Sequence, residues 1–324
     1  MTFDRNSKNF SFPGQLGILI GLFGGGLVLG AIISAGVWLA LTGRPVASIE
    51  ADMMDPKNYT ALMIMQGIST LFMFFLPVFI FAKICYKDAS RFMGFKTKFN
   101  SQQFFWVLAI LVLAFPLSGA LAELAKILPL PTNLEARFKA MEAAREAQEA
   151  ALININTFYK YIMSMLIIGV LPGIFEEVLF RGGIQNILTR WSKNPWLAII
   201  LTAFIFSIIH LSYYGFFVRF ALGIILGLVF YYTGSLWLAI ILHFLYNGLQ
   251  VTALYALNGK PDGFPAKDIE SNFPMWLGAL ALIALFYAFK RLKDISKVHQ
   301  ETFEFEEVDD PNDFHNWIAK ETQN

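Results

Sequence analysis

Eight apolar stretches dominate the 324-residue chain, and each is long enough to cross a lipid bilayer. A helix needs about 20 mainly apolar residues to span a hydrocarbon core of about 30 Å. The stretches are residues 15–42, 60–85, 103–128, 157–180, 195–212, 216–232, 235–255 and 273–290. This pattern predicts an all-α protein, a polytopic membrane helix bundle of about eight transmembrane helices.

The composition agrees with a membrane protein and restricts its partners. Charged residues make up 15% of the chain, against about 25% in a typical soluble domain. The formal net charge of +1 argues against a nucleic acid as partner. The single cysteine, Cys85, excludes an intrachain disulfide framework and a cysteine-based metal site.

The chain divides into a short cytoplasmic N-terminal segment (1–14), a membrane domain (15–290) and a cytoplasmic acidic tail (291–324). The first apolar stretch is too long for a cleavable signal, which predicts an uncleaved first span. Within the membrane domain, residues 155–255 hold the candidate catalytic groups. Between spans three and four, residues 132–151 consist of strong helix formers after a capping residue at Thr132 or Asn133. They predict a helix on the outer surface, either a passive connector or an element of substrate access.

Lysine and arginine cluster in alternate loops, which predicts the orientation of the bundle. The basic residues after spans two, four and eight are Lys83, Lys87, Arg91, Lys96, Lys98, Arg181, Arg190, Lys193, Lys290, Arg291, Lys293 and Lys297. All of them lie on one side if both termini are cytoplasmic. We therefore expect an integral multi-pass protein, in a bacterial cytoplasmic membrane, with both termini in the cytoplasm.

Three short motifs place ionisable or polar groups inside spans, where such groups are rare and usually face the bundle interior or a water-filled cavity. FEEVLFR, FSIIH and HFLYN contain Glu176, Glu177, Arg181, Phe206, His210, His243 and Asn247. The remaining two histidines, His299 and His315, lie near the C-terminus and are interpreted as surface residues.

Spacing separates the two adjacent glutamates. Glu177 and Arg181 are four residues apart, the spacing that favours an ion pair along a helix. Neighbouring residues on a helix point about 100° apart, so Glu176 is left to face the cavity as the working carboxylate.

Counting residues places the motifs at compatible depths. If the fourth helix continues to a turn near residues 192–194, Glu176 and His210 both lie about 25 Å from that turn, at 1.5 Å per residue. His243 lies about 15 Å from its own turn at 233–234. We therefore expect Glu176, His210 and His243 to meet in one cavity.

A carboxylate, two imidazoles and an amide can activate a water molecule and stabilise the oxyanion of a hydrolysed carbonyl. Peptide hydrolysis is therefore the leading hypothesis. Alternatively, Glu176, His210 and His243 form a ligand set suited to catalytic zinc, although no HExxH motif is present. Three further interpretations stay open: a helix end that meets water, histidines that only pack, and a proton or ion pathway in a transporter.

The ordered motifs EExxxR, FxxxH and HxxxN resemble those of the CPBP family, the CAAX proteases and bacteriocin-processing enzymes, which include type II CAAX prenyl endopeptidases. The resemblance implies an intramembrane endopeptidase that opens to the cytosol. It implies that Glu176 and His210 activate water, that His243 and Asn247 bind the oxyanion, and that Glu177 and Arg181 support the site. The family has been described both as metalloproteases and as metal-independent glutamate proteases. Asn247 favours the glutamate type, with no cofactor; Zn²⁺ is the alternative.

The substrate class stays open at this stage. A prenylated C-terminal motif, a leader peptide and a segment of a membrane protein are all candidate substrates. A non-catalytic membrane scaffold or immunity factor of the same fold is the alternative to an enzyme. Two glycine pairs, in GLVLG (26–30) and GIILG (223–227), have the spacing that lets membrane helices approach closely.

Overall fold

The computed structural model describes residues 7–53, 55–153, 155–257 and 273–302. We number the long helices α1 to α9 along the chain. They are α1 (Phe12–Thr42), α2 (Pro56–Cys85), α3 (Ser101–Ile127), α4 (Thr132–Ile153), α5 (Phe158–Ser192), α6 (Pro195–Ile208), α7 (Phe216–Thr233), α8 (Leu236–Leu257) and α9 (Met275–Thr302). Short helical turns at Val46–Ser48, Ile49–Asp52 and Ala89–Phe92 lie in the connections. Within the described ranges the only β-type pairing is an isolated bridge between Ser7 and Tyr86, so the predicted all-α class is confirmed.

Seven of the described helices are long and apolar enough to cross a membrane, namely all except α4 and α6. The polytopic bundle predicted from the sequence is therefore confirmed. The predicted fifth span, residues 195–212, is shorter than expected, because α6 ends at Ile208. Its 14 residues extend about 21 Å at 1.5 Å per residue. The chain turns back into α7 before it has crossed a full bilayer thickness.

Helix α5 is the longest candidate span of the described residues, with 35 residues from Phe158 to Ser192. The turn expected near 192–194 is present: Lys193 adopts the left-handed conformation and Asn194 caps α6 by accepting from the Leu197 N–H. Two segments of α5, Met165–Val170 and Val178–Gln185, are wound as π-helix. Such segments inside an α-helix are frequent at functional sites. The second begins directly after the two glutamates.

Helices α5 and α7 lie at the centre of the bundle, and the other helices pack around them. Helix α5 packs against α2 and α8, α7 packs against α3, α6, α8 and α9, and α1 packs on α2 at the flank. The expected hairpins α6–α7 and α7–α8 are present, with the second turn made at Gly234 in the left-handed conformation. One continuous apolar core runs through the bundle, and Phe180, Phe206 and Phe230 are among its most buried members.

The glycine pairs lie at close helix contacts. A Cβ atom on Gly26 would lie 2.1 Å from the backbone oxygen of Phe72, so α1 approaches the α2 backbone directly. A Cβ atom on Gly223 would lie 2.8 Å from the Cβ of Ala203, at the α6–α7 contact. The packing interpretation of both pairs is therefore consistent with the structure.

The basic loops lie at one end of the bundle. The Arg190 guanidinium lies 5.3 Å from the ring centre of Phe92, which joins the α5–α6 turn to the loop after α2. The Gln103 amide donates to the Ser296 hydroxyl at 3.0 Å, which brings the start of α3 to the last part of α9. Helix α4 lies at the opposite end. Helix α9 continues past the predicted boundary at residue 290; the rest of the predicted acidic tail from residue 303, with His315, and the His299 side chain lie outside the described part.

Candidate active site

The centre of the candidate site is Glu177, a fully buried carboxylate on α5. Its Oε1 atom accepts a hydrogen bond from Arg181 Nη1 at 2.6 Å and lies 2.7 Å from Nδ1 of His243 on α8. The expected Glu177–Arg181 pair is therefore present, and the same oxygen also holds His243. Charge-assisted bonds of this kind are short and strong. Glu177 fixes the relative positions of α5 and α8 at the site.

Arg181 also ties α5 to α7. Its Nη2 atom donates to the backbone oxygen of Gly223 at 2.9 Å, and one turn further along Gln185 Nε2 donates to the oxygen of Gly227 at 3.0 Å. Arg181, Gln185 and the two acceptor glycines are buried. Because Gly223 and Gly227 have no side chain, α7 approaches α5 closely enough for these bonds to form. Gln185 therefore belongs to the framework of the site, although its role was missed in the sequence.

Phe206 on α6 lies between the charged groups. Its ring centre is 5.2 Å from the Arg181 guanidinium carbon, 5.1 Å from the His210 ring and 6.0 Å from the His243 ring. Phe180 meets it edge-on at 5.0 Å between ring centres. The first residue of the FxxxH motif is thus a packing platform that spaces the two histidines and shields Arg181.

His210 lies just beyond α6, in the loop of residues 209–215. Its Nδ1 atom is 2.7 Å from the backbone oxygen of Phe206. A carbonyl oxygen only accepts hydrogen bonds, so this contact requires a proton on Nδ1 and leaves Nε2 as the acceptor of the neutral ring. The imidazole is partly exposed and interacts electrostatically with His243.

Glu176 is buried, with 8% of its surface exposed, and interacts electrostatically with His243, Glu177 and Arg181. The structure thus brings Glu176, Glu177, Arg181 and His243 into one cluster, and His210 joins it through Phe206 and His243. Asn247, one turn from His243 on α8, donates from Nδ2 to the Ile168 backbone oxygen at 3.2 Å. That oxygen belongs to the first π-helical segment of α5.

Arg219 is a further member that the sequence reasoning missed. It lies in the first turn of α7 and interacts electrostatically with both Glu176 and His210. The signal was available, because an arginine inside an apolar stretch is rare enough to suggest function.

Within the described residues, no group of three or more histidine, cysteine, aspartate or glutamate side chains is arranged to hold a metal ion. Glu176, His210 and His243, the zinc set considered above, are not found grouped in this way, and zinc at this site stays a prediction. Both histidines direct Nδ1 to protein acceptors, which leaves each Nε2 atom for a water molecule, a substrate or a metal ion.

Comparisons with known proteins bear on the segment that contains these residues. No curated protein and no solved structure matches the chain. The family model described as type II CAAX prenyl endopeptidase Rce1-like matches residues 158–249, from the first residue of α5 to two residues past Asn247. All three motifs lie inside the matched segment, so the resemblance inferred from them is confirmed for residues 158–249, and the apolar helices support an integral, multi-pass membrane protein.

Proposed function

We propose that the chain is an intramembrane endopeptidase that hydrolyses a peptide bond in a membrane-associated substrate with a water molecule activated by Glu176 and His210. The Rce1-like match supports a peptidase of the CAAX type. The single observation that carries the proposed mechanism is the His210 Nδ1 contact with the Phe206 carbonyl, because it directs a basic Nε2 lone pair away from the helix.

The base is the pair of Glu176 and His210. A water molecule between them gives up a proton as its oxygen attacks the carbonyl carbon of the substrate peptide. That proton passes to the Glu176 carboxylate or to His210 Nε2 and then to the leaving amine as the C–N bond breaks. Burial of Glu176 excludes bulk water, so the carboxylate acts on one bound water molecule.

The oxyanion is stabilised by His243 and Asn247. With both ring nitrogens protonated, His243 donates from Nδ1 to the Glu177 carboxylate and from Nε2 to the oxyanion. An asparagine amide has two N–H donors, and the bond to Ile168 uses only one of them. Removing one oxyanion donor from an acyl-transfer site typically lowers kcat about 10²–10³-fold.

Glu177 and Arg181 support this site without acting on the substrate. Their ion pair is fully buried, and Arg181 continues the connection to the Gly223 carbonyl. The pair therefore fixes the position of His243 on α8 relative to α5 and α7. The metal-dependent alternative is tested by elemental analysis of the purified protein and by chelator treatment: bound zinc with chelator-sensitive activity would replace the mechanism above.

The family match and the membrane setting support a membrane-associated peptide as the substrate. A peptide that carries a prenylated C-terminal motif is the first candidate, and a leader peptide or a membrane-protein segment is the second. We place the protein in a bacterial cytoplasmic membrane with its substrate anchored in the same bilayer.

The deciding experiment compares membranes from cells that carry the wild type or Glu176→Gln by proteomics of protein termini. We expect a precursor that stays uncleaved only with the variant, and the purified wild type should then cleave a peptide spanning that site. His210→Ala should abolish the same cleavage. Glu123→Gln, at a partly exposed carboxylate of α3 that pairs with Lys126, is the matched control and should leave it unchanged. Cleavage that survives Glu176→Gln and His210→Ala would contradict the proposed mechanism, whereas a wild type that cleaves no substrate would favour a non-catalytic scaffold.

A further inference from the structure

The loop that carries His210 contains an unfavourable backbone conformation. Leu211, directly after the histidine, has a φ angle of 50°, in the left-handed region. A bulky residue rarely adopts this region, and such outliers cluster at functional sites where the surroundings hold them in place. The Leu211 side chain is 70% exposed, so packing of its own side chain does not hold it. Something else in the structure must stabilise the turn.

The following residue, Ser212, is buried and fixes the loop from inside. Its Oγ atom accepts a hydrogen bond from the Gly215 N–H at 3.0 Å, which closes the turn. Before the histidine, Ser207 Oγ donates to the Phe216 backbone oxygen at 2.6 Å and joins the end of α6 to the start of α7. In its bond with Gly215 the Ser212 hydroxyl only accepts, so its own proton can be donated to another group.

That group lies on α4. Ser212 Oγ donates to Glu142 Oε2 at 2.9 Å, across 70 residues of sequence. The Glu142 side chain is only 12% exposed, and its other oxygen pairs with Arg145, which interacts electrostatically with His210. One turn earlier, Phe138 stacks on Tyr213 with 4.9 Å between ring centres and planes 9° apart. Helix α4 therefore docks on both residues that follow Leu211.

We propose that Glu142 is a positioning residue for His210: from α4 it holds Ser212 and thereby maintains the left-handed turn at Leu211 that orients the imidazole. This role rests on the proposed function, in which His210 acts on the attacking water. A hydrogen bond to a carboxylate is about twice as strong as one between neutral groups. Its free energy is of the same order as the penalty of a left-handed residue with a Cβ atom, so one such bond decides whether the turn persists.

The hold on the loop is tested without reference to catalysis. Hydrogen exchange of the peptide covering residues 209–216 reports the amides of Leu211, Gly215 and Phe216, which donate within the loop. Glu142→Ala should speed this exchange about tenfold, roughly as expected for loss of one charged hydrogen bond. Glu142→Gln keeps an acceptor oxygen and should restore most of the protection. Arg137→Ala, at an exposed position on another face of α4, is the control.

Catalysis is tested by separating kcat from KM on the substrate found for the wild type. Glu142→Ala should lower kcat about tenfold, as loss of one charged hydrogen bond would, with KM changed little. Adding Leu211→Gly should restore kcat, because glycine adopts the left-handed region without penalty. A merely structural role of α4 predicts no such rescue.

The two measurements distinguish the possible failures. Unchanged exchange with Glu142→Ala would overturn the proposal, and so would faster exchange with an unchanged kcat or a kcat that Leu211→Gly leaves low. If the wild type cleaves no substrate, the proposed function fails, and the exchange of the Glu142 variants alone decides whether α4 holds the loop.

Discussion

Two adjacent glutamates differ in their surroundings, and this difference predicts opposite effects of one substitution. Glu177 neutralises a fully buried arginine and holds His243. A substitution of Glu176 leaves both of these contacts in place. Glu177→Gln should lower the free energy of unfolding by about 3–5 kcal/mol, because it leaves an uncompensated buried charge. Glu176→Gln should change it by no more than about 1 kcal/mol, the scale of one ordinary hydrogen bond. Unfolding in increasing dodecyl sulfate measures both.

The two variants are isosteric and adjacent, so each serves as the control for the other. Equal destabilisation by Glu176→Gln and Glu177→Gln would contradict the division of roles. A stable Glu176→Gln protein that cleaves no substrate would agree with it.

Phe206 is the second residue at which chemistry and packing meet. Its ring contacts Arg181 and both histidines, so Phe206→Leu should lower kcat about tenfold as the histidines lose their common platform. It should also remove a desolvated cation–π contact, worth about 2 kcal/mol of stability. Phe204→Leu, two residues earlier and 46% exposed, is the control. If the two leucine variants behave alike in cleavage and unfolding assays, the platform role is wrong.

At the scale of single residues, the sequence predicts the members of the candidate site well. It predicts the contacts between them less well. Helical spacing alone was enough for the Glu177–Arg181 pair, since both residues lie on one helix. The Glu177–His243 contact depends on how α5 and α8 approach each other, and the two residues are separated by 66 positions. No local periodicity encodes that approach. The sequence therefore assigned Glu177 to Arg181 and missed its second partner.

At the scale of helices, the contact between α6 and α7 depends on one missing side chain. A Cβ atom on Gly223 would lie 2.8 Å and 2.9 Å from the Cβ and Cα of Ala203, and the glycine oxygen accepts from Arg181. Gly223→Ala should therefore destabilise the protein by about 1–3 kcal/mol, the range of overpacked cores. Gly25→Ala, in α1, meets no atom within 4 Å and should be neutral or slightly stabilising. Unfolding midpoints of the two variants test this, and equal midpoints would refute it.

The helices themselves were predicted closely, except where the chain departs from regular geometry. Apolar length predicted the starts of the seven candidate spans within four residues, whereas α5 and α9 both continue about 12 residues past their predicted ends. The turn from which depth was counted falls at Lys193, as expected. The end of α6 was placed four residues late, since the apolar run continues through Leu211 while the backbone turns there. The π-helical segments have no recognised periodicity in the sequence and were not predicted.

For the whole molecule, the structure makes two expectations incompatible. The loop with His210 contacts α4 and so lies at the end of the bundle opposite the basic loops. If both termini are cytoplasmic, as the lysine and arginine distribution predicts, the α4 end faces away from the cytoplasm. The resemblance, in contrast, implies a site that opens to the cytosol. Only one of these orientations can hold.

The charge distribution is the stronger argument, because it belongs to this chain and the basic loops are now seen to share one end. We therefore expect the α4 end to be outside. In a Cys85→Ala background, Glu135→Cys on α4 and Lys87→Cys in the basic loop place one thiol at each end. A membrane-impermeant maleimide applied to intact cells should label the first protein, and the second only after permeabilisation. The reverse pattern would place His210 towards the cytosol and both termini outside. In that case the orientation implied by the resemblance would be right, and the one predicted from the basic loops would be wrong.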